Sequence, residues 1–248
     1  MEYLHLLLSV IVWFVWVVAT IAFAFIAAAI WLLTMPFDKR GIILHLASSI
    51  WGYMYALVNP YWTIRFEGRN NIRDDQPCII ISNHQSLADI MVLYGLLRNF
   101  KWVSKIQNFR IPFLGFVMRL NRYIEVDRMK GRSYLKMLAR CEEEIRRGNS
   151  VLIFPEGTRS PDGRMHRFRE GAFRLAVRVK VPIVPVIIDG THEALPKKGF
   201  IFKKRKKIIV RVLSPVPPSS WGTEDPGQLM QIFQNLMESE LNKLRANQ

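Results

Sequence analysis

Cysteine is nearly absent from this chain of 248 residues: there are two, Cys78 and Cys141. They are far apart and match no C-x-x-C or zinc-ligand spacing, so neither a disulfide framework nor a metal site is indicated. Two lone thiols are compatible with a reducing compartment. Repeats and low-complexity tracts are missing, and no Gly-x-Ser-x-Gly segment supplies a nucleophile elbow. Charge is the most unevenly distributed commodity. Residues 3–37 contain no Asp, Glu, Lys or Arg, and residues 1–63 carry only Glu2, Asp38, Lys39 and Arg40, which cancel. The whole formal charge of +15 therefore lies in residues 64–248, where 33 basic residues face 18 acidic ones. A body that basic seeks polyanions: nucleic acid, anionic lipid, acidic proteins or phosphorylated substrates.

The uncharged front reads as a membrane-associated segment, residues 1–63. The run "LLLSVIVWFVWVVATIAFAFIAAAIWLL" is apolar on every side and leaves no solvent face for a helix. A cleaved signal peptide wants a basic start and a shorter apolar core, whereas this chain begins Met-Glu and its apolar run is longer. About 30 helical residues reach roughly 45 Å, more than a hydrocarbon core of ~30 Å, so such a helix must tilt, kink or project. A second uncharged run follows from Gly41 to Thr63. In it His45, Ser48, Ser49 and Gly52 form one small-polar stripe suited to helix–helix contact or an interfacial position. Its aromatics Trp51, Tyr53, Tyr55, Tyr61 and Trp62 suit a belt at headgroup level. Either the first helix spans and the second lies in the interface, or both form a hairpin in one leaflet.

From Arg65 onward, apolar strand-like runs alternate with helical ones. The strands are "WTIRFEG", "PCIIISN", "KWVSK", "RYIEVD", "SVLIFP", "VPIVPVIID" and "KIIVRVL", with helices near 87–98, 112–120, 129–147, 168–179 and 224–245. Continuous apolar strands are those buried on both faces. The alternation predicts an α/β domain over residues 64–248, a mainly parallel sheet flanked by helices and preceded by the two-helix membrane-embedded motif. Chemistry in such sheets collects at the carboxyl ends of strands. "NHQSLAD" follows "CIIIS", and "PEGTR" follows "VLIF", so both emerge at that edge.

In "NHQSLAD", His84 and Asp89 are five residues apart, a poor spacing for one helix face. Direct contact requires a strand–loop–helix corner between them. Alone, the pair reads more readily as a local hydrogen-bonding histidine and a helix-capping aspartate than as a dyad. In "IFPEGTRSPDGR", Pro155 and Gly157 fix a tight strand exit, while Glu156 and Arg159 supply opposite charges. An arginine there is suited to fork onto a phosphate. Lys105 ends "KWVSK", and Arg122 and Arg128 flank "YIEVD".

The order Asn-His-x4-Asp, a lysine before "IPFLG", "YIEVDR", "FPEGTR" and "VPIVPVII" resembles the glycerolipid acyltransferase family, above all the 1-acylglycerol-3-phosphate (lysophosphatidate) acyltransferases. The likeness covers roughly residues 64–215. One block departs from it: the family often has Gly-x-Ile-Phe-Ile-Asp-Arg where this chain has Arg-Tyr-Ile-Glu-Val-Asp-Arg, keeping Arg128 but placing Tyr123 and Glu125 inside the block. The resemblance implies acyl transfer from a thioester, acyl carrier protein or coenzyme A, to the sn-2 hydroxyl of lysophosphatidate. No cofactor beyond that co-substrate and no metal are implied. His84 is then the base that takes the hydroxyl proton, and Asp89 holds its other nitrogen. Lys105 and Arg159 are implied as phosphate contacts, with Arg128 a further candidate. Glu156 either binds a glycerol hydroxyl or positions Arg159. Backbone amides of the Gly157-Thr158 turn are candidates to hold the oxyanion or the phosphate.

The implied location is the cell membrane, with the catalytic body on the cytoplasmic face. The implied partners are a lysophospholipid acceptor, the thioester donor and the bilayer, without nucleic acid. The basic run "FKKRKK", residues 202–207, reads as a solvated strand edge or as a contact for anionic headgroups. Two rival readings use the same residues: acylation of glycerol 3-phosphate or another lysophospholipid, and a non-catalytic membrane-tethered polyanion binder. The second wants exposed aromatics interleaved with its basic residues, a pattern this sequence does not have.

Overall fold

The computed structural model describes residues 2–127, 131–195 and 205–246. Two apolar helices lead: α1 (Glu2–Thr34) and α2 (Ile42–Leu57). Seven strands follow, at the seven places where apolar runs predict them: β1 (Trp62–Glu67), β2 (Ile79–Ser82), β3 (Phe100–Lys105), β4 (Ile124–Val126), β5 (Ser150–Ile153), β6 (Ile183–Asp189) and β7 (Lys206–Val212). They form one sheet in the order β1-β7-β6-β2-β5-β3-β4. The five strands from β6 to β4 are parallel to one another, while β1 and β7 pair in parallel and run the opposite way.

The central strand shows why the apolar runs are continuous. Ile79, Ile80 and Ile81 are all fully buried. Because side chains alternate across a sheet, Ile80 enters one core and Ile79 and Ile81 enter the other. Each such isoleucine contributes roughly 1.5–3 kcal/mol on leaving water. One face is covered by α5 (Gly131–Arg146), α6 (Gly171–Val179) and α8 (Pro226–Ala246), the other by α2 and α3 (Ala88–Tyr94). A helix α4 (Leu114–Leu120) packs against α1, and a four-residue helix α7 (Thr191–Ala194) follows β6. The helix expected over 87–98 stops at Tyr94. Gly95 lies beneath Tyr53 and Phe66, where a Cβ would come within 2.6 Å of the Tyr53 ring, and Leu97 takes a positive φ of 52°.

The small-polar stripe of α2 is a packing face. His45, Ser48, Ser49 and Gly52 are buried. Gly52 admits the Tyr94 ring so closely that a Cβ would sit 2.4 Å from it. Asn121 donates to Ser48 Oγ at 2.9 Å, and the His45 ring lies 3.0 Å from both Tyr123 Oη and the Arg98 carbonyl. The aromatics of this run also make protein contacts. Trp62 is in the core, Trp51 stacks on Phe23 of α1 at 4.5 Å, and Tyr55 packs on Trp16 at 5.1 Å. Rings this large lock the hairpin and fix it to the body. What α1 leaves outward is apolar: Phe14, Phe25 and Leu33 are 68%, 69% and 73% exposed. Among the described residues, one helix, Ser9–Thr34, is long and apolar enough to cross a membrane.

Candidate active site

At the carboxyl end of β2 the ladder continues through a side chain. Asn83 donates to the Ile188 carbonyl at 2.8 Å and accepts from the Ile188 N–H at 2.8 Å, so the loop is tied to β6 as it leaves the sheet. His84 comes next, and Asp89 lies in the first turn of α3. The corner that the five-residue spacing demands brings His84 Nδ1 to 2.7 Å from Asp89 Oδ2. That oxygen also accepts the N–H groups of Gln85 at 2.6 Å and Ser86 at 2.9 Å, and Oδ1 accepts the Thr191 hydroxyl. Asp89 is fully buried. With a carboxylate as its partner, Nδ1 carries the ring proton and Nε2 keeps a free lone pair. The ring is 15% exposed and stacked on Phe154, with centroids 4.0 Å apart.

The loop after β5 locks this corner. Glu156 is buried; Oε1 accepts the His84 N–H at 2.7 Å and Oε2 accepts the His166 N–H at 2.9 Å. The Ser160 N–H returns to the His84 carbonyl at 2.8 Å. His84 is thus held by its main chain on both sides and by its ring. Burial pushes the Glu156 carboxyl up to about 7, although the two N–H donors pull the other way. Both Glu156 oxygens serve main-chain donors. Gly157 adopts a φ of +71°, and its N–H closes the turn onto the Phe154 carbonyl at 3.1 Å. That amide stabilises the loop itself. Arg169 lies over Gly157, with Nε 3.1 Å from where a Cβ would stand.

The remaining candidates spread along the same sheet edge. Lys105 ends β3, which pairs directly with β5, and its side chain is exposed. Thr158 is exposed and Arg159 half-buried in the loop after β5. Arg128 lies outside the described residues. His84, Asp89 and Glu156 are joined by hydrogen bonds, whereas Lys105 and Arg159 share the edge on neighbouring strands. Sequence reasoning missed Asn83, Thr191 and Arg169. Asn83 and Thr191 do carry a shared signal: each is polar and just past the carboxyl end of a parallel strand.

Fold and edge together define an α/β protein with a histidine–carboxylate pair set among cations. The chain belongs to the acyltransferase family, whose model, described as Acyltransferase, matches residues 63–189. It is similar to a 1-acyl-sn-glycerol-3-phosphate acyltransferase of Chlamydomonas reinhardtii, 35% identical over 75% of this chain and 56% of that one. It is also similar to 1-acyl-sn-glycerol-3-phosphate acyltransferase beta of Homo sapiens, 30% identical over 77% of this chain and 70% of that one. The crystal structure of the 1-acyl-sn-glycerophosphate acyltransferase PlsC from Thermotoga maritima superposes with a TM-score of 0.85 at 25% identity, covering 99% of this chain and 98% of that one. The chain spans about half the length of the algal and chloroplast relatives it matches.

Proposed function

We propose that the protein transfers a fatty acyl group from a thioester to the sn-2 hydroxyl of lysophosphatidate, giving phosphatidate. The observation that carries this reading is the 2.7 Å contact between His84 Nδ1 and Asp89 Oδ2, which leaves Nε2 to act as the base. Nε2 takes the hydroxyl proton as the acceptor oxygen attacks the thioester carbonyl. Asp89 stabilises the imidazolium so formed. The carbon–sulfur bond then breaks and the imidazolium returns the proton to the leaving thiolate, so the acyl group passes directly to oxygen. Lys105, Arg159 and Arg128 hold the acceptor phosphate. Either acyl carrier protein or coenzyme A thioesters fit this chemistry as donor. The substrate reading draws on relatives named for 1-acyl-sn-glycerol-3-phosphate.

The exposed apolar face of α1 seats the protein in the membrane, and the basic body sits at the cytoplasmic face against anionic headgroups. The test is thiol release from an acyl thioester by the purified chain in detergent. Release should depend on lysophosphatidate and yield phosphatidate. Thiol release that depends on glycerol 3-phosphate and not on lysophosphatidate would overturn the acceptor assignment.

A further inference from the structure

The edge of the sheet opposite His84 carries a second concentration of positive charge. There the segments preceding β3, β4 and β5 meet the turn between α1 and α2, and a cavity of about 550 Å³ opens between Met35, Lys39, Arg40, Arg122 and Arg147. Four of these five residues are cations and none is an acid. Arg122, at a positive φ of 56°, donates to the carbonyls of Lys39 at 2.8 Å and Arg40 at 2.9 Å and lies 3.3 Å from the buried Glu144. Arg147 pairs with Glu143. Arg40 donates to the main-chain carbonyls of Asp74 and Gly148, and its Nε is buried with no hydrogen-bond acceptor. Among the described residues, neither Lys39 nor Arg40 has a carboxylate in ion-pair contact. Beneath them Lys101 is fully buried, its Nζ 3.3 Å from the Gly41 carbonyl. Burial first, and Arg122 next, push the Lys101 ammonium down to about 7. Glu143, Glu144 and Asp38 lie nearby, but the lining of the cavity itself holds no acid.

The rim of the cavity is apolar. In and just after the last turn of α1, Leu33, Met35 and Phe37 are 73%, 51% and 68% exposed. A phosphate suits the guanidinium forks, which take two oxygens at once. Apolar chains suit the exposed end of α1 beside them. Inorganic phosphate would use only the first of these features.

We propose that this pocket binds the phosphate group of an anionic membrane phospholipid, with Lys39, Arg40, Arg122 and Arg147 around the phosphate and the end of α1 along its chains. The site is separate from the His84 edge, at the other end of strands of four to six residues, roughly 13–20 Å away. It does not depend on the acyl-transfer reading.

Native mass spectrometry of the full chain in a neutral detergent tests it, titrating phosphatidylglycerol, phosphatidylcholine of the same chains, and inorganic phosphate. Phosphatidylglycerol should be retained in preference to phosphatidylcholine, and inorganic phosphate should not compete at equal concentration. Lys39→Gln with Arg147→Gln should weaken phosphatidylglycerol binding by about tenfold or more, two charge-assisted contacts being lost. Arg132→Gln with Lys136→Gln, an equal loss of two charges at exposed positions of α5, should leave it unchanged. Should the double variant fail to fold, Lys39→Gln alone repeats the comparison on an exposed side chain. Equal retention of phosphatidylcholine, full competition by inorganic phosphate, or wild-type binding by the pocket variants would each overturn the proposal.

Discussion

Thr191 and Asp89, 102 residues apart in the chain, share a buried hydrogen bond in which the threonine hydroxyl donates to Asp89 Oδ1. The bond fixes the carboxylate from the side opposite His84, leaving Oδ2 to the imidazole and two main-chain N–H groups. Thr191→Ala should therefore lower kcat by about tenfold, the worth of one such bond, with little change in KM. Thr191→Ser should recover most of it. Steady-state kinetics on both variants checks this; a rise in KM at constant kcat would place Thr191 in substrate binding instead.

Glu156 gives a prediction about stability. Its folded carboxyl titrates near 7, above the ordinary value of 4.5, so between those pH values the folded state holds a proton that the unfolded state has released. Stability from this group is then fully present below about 4.5 and declines as pH rises to about 7, by at most ~1.4 kcal/mol per pH unit. Glu156→Gln cannot titrate. The difference in unfolding free energy, wild type minus Glu156→Gln, should fall between pH 5 and 7 and level off above. A flat difference would show that the carboxyl is not raised. The amide also turns an N–H₂ toward one of the two main-chain donors, so the variant should lose turnover through a displaced His84.

The phosphate contacts separate by acceptor. Lys105→Ala and Arg159→Ala should each cost roughly 1.5–3 kcal/mol of transition-state stabilisation on lysophosphatidate. On a neutral acceptor such as monoacylglycerol the loss should be much smaller. Arg159→Lys should restore only part, because a point charge cannot fork onto two oxygens. Equal losses on both acceptors would make these residues structural.

Seating of α1 is tested on its exposed face. Phe14→Lys with Val18→Lys places two charges where the side chains are 68% and 48% exposed. At ~2.5–3.5 kcal/mol per charge near a bilayer centre, the variant should partition out of vesicles. It should lose activity on vesicle-borne acceptor far more than on acceptor dispersed in detergent. Unchanged flotation with vesicles would show that this face does not meet lipid.

The sheet was legible because apolar strands buried on both faces leave an unbroken pattern, as at Ile79–Ile81. The His84–Asp89 pair was legible through the order of blocks that resembles the acyltransferases, because the five-residue spacing alone fits a locally bonded histidine and a capping aspartate. The reversed direction of β1 and β7 was not, since pairing direction leaves no trace in residue type. Nor were the partners of Glu156, because main-chain N–H groups are the same at every residue. The burial of Lys101 under the α1–α2 turn is not legible either, because it follows from tertiary contacts with Gly41 and Arg122. The packing partners of the α2 aromatics, Trp16, Phe23 and Phe66, are likewise not legible, because they lie on other elements.

The central claim is that His84 Nε2 takes the acceptor proton. The most direct measurement is turnover of His84→Ala on lysophosphatidate and an acyl thioester, beside its melting temperature and its affinity for the acceptor. Loss of a general base should lower kcat by ~10²–10⁴-fold, with folding and acceptor affinity close to wild type. Near-wild-type kcat in a folded His84→Ala protein would contradict the account.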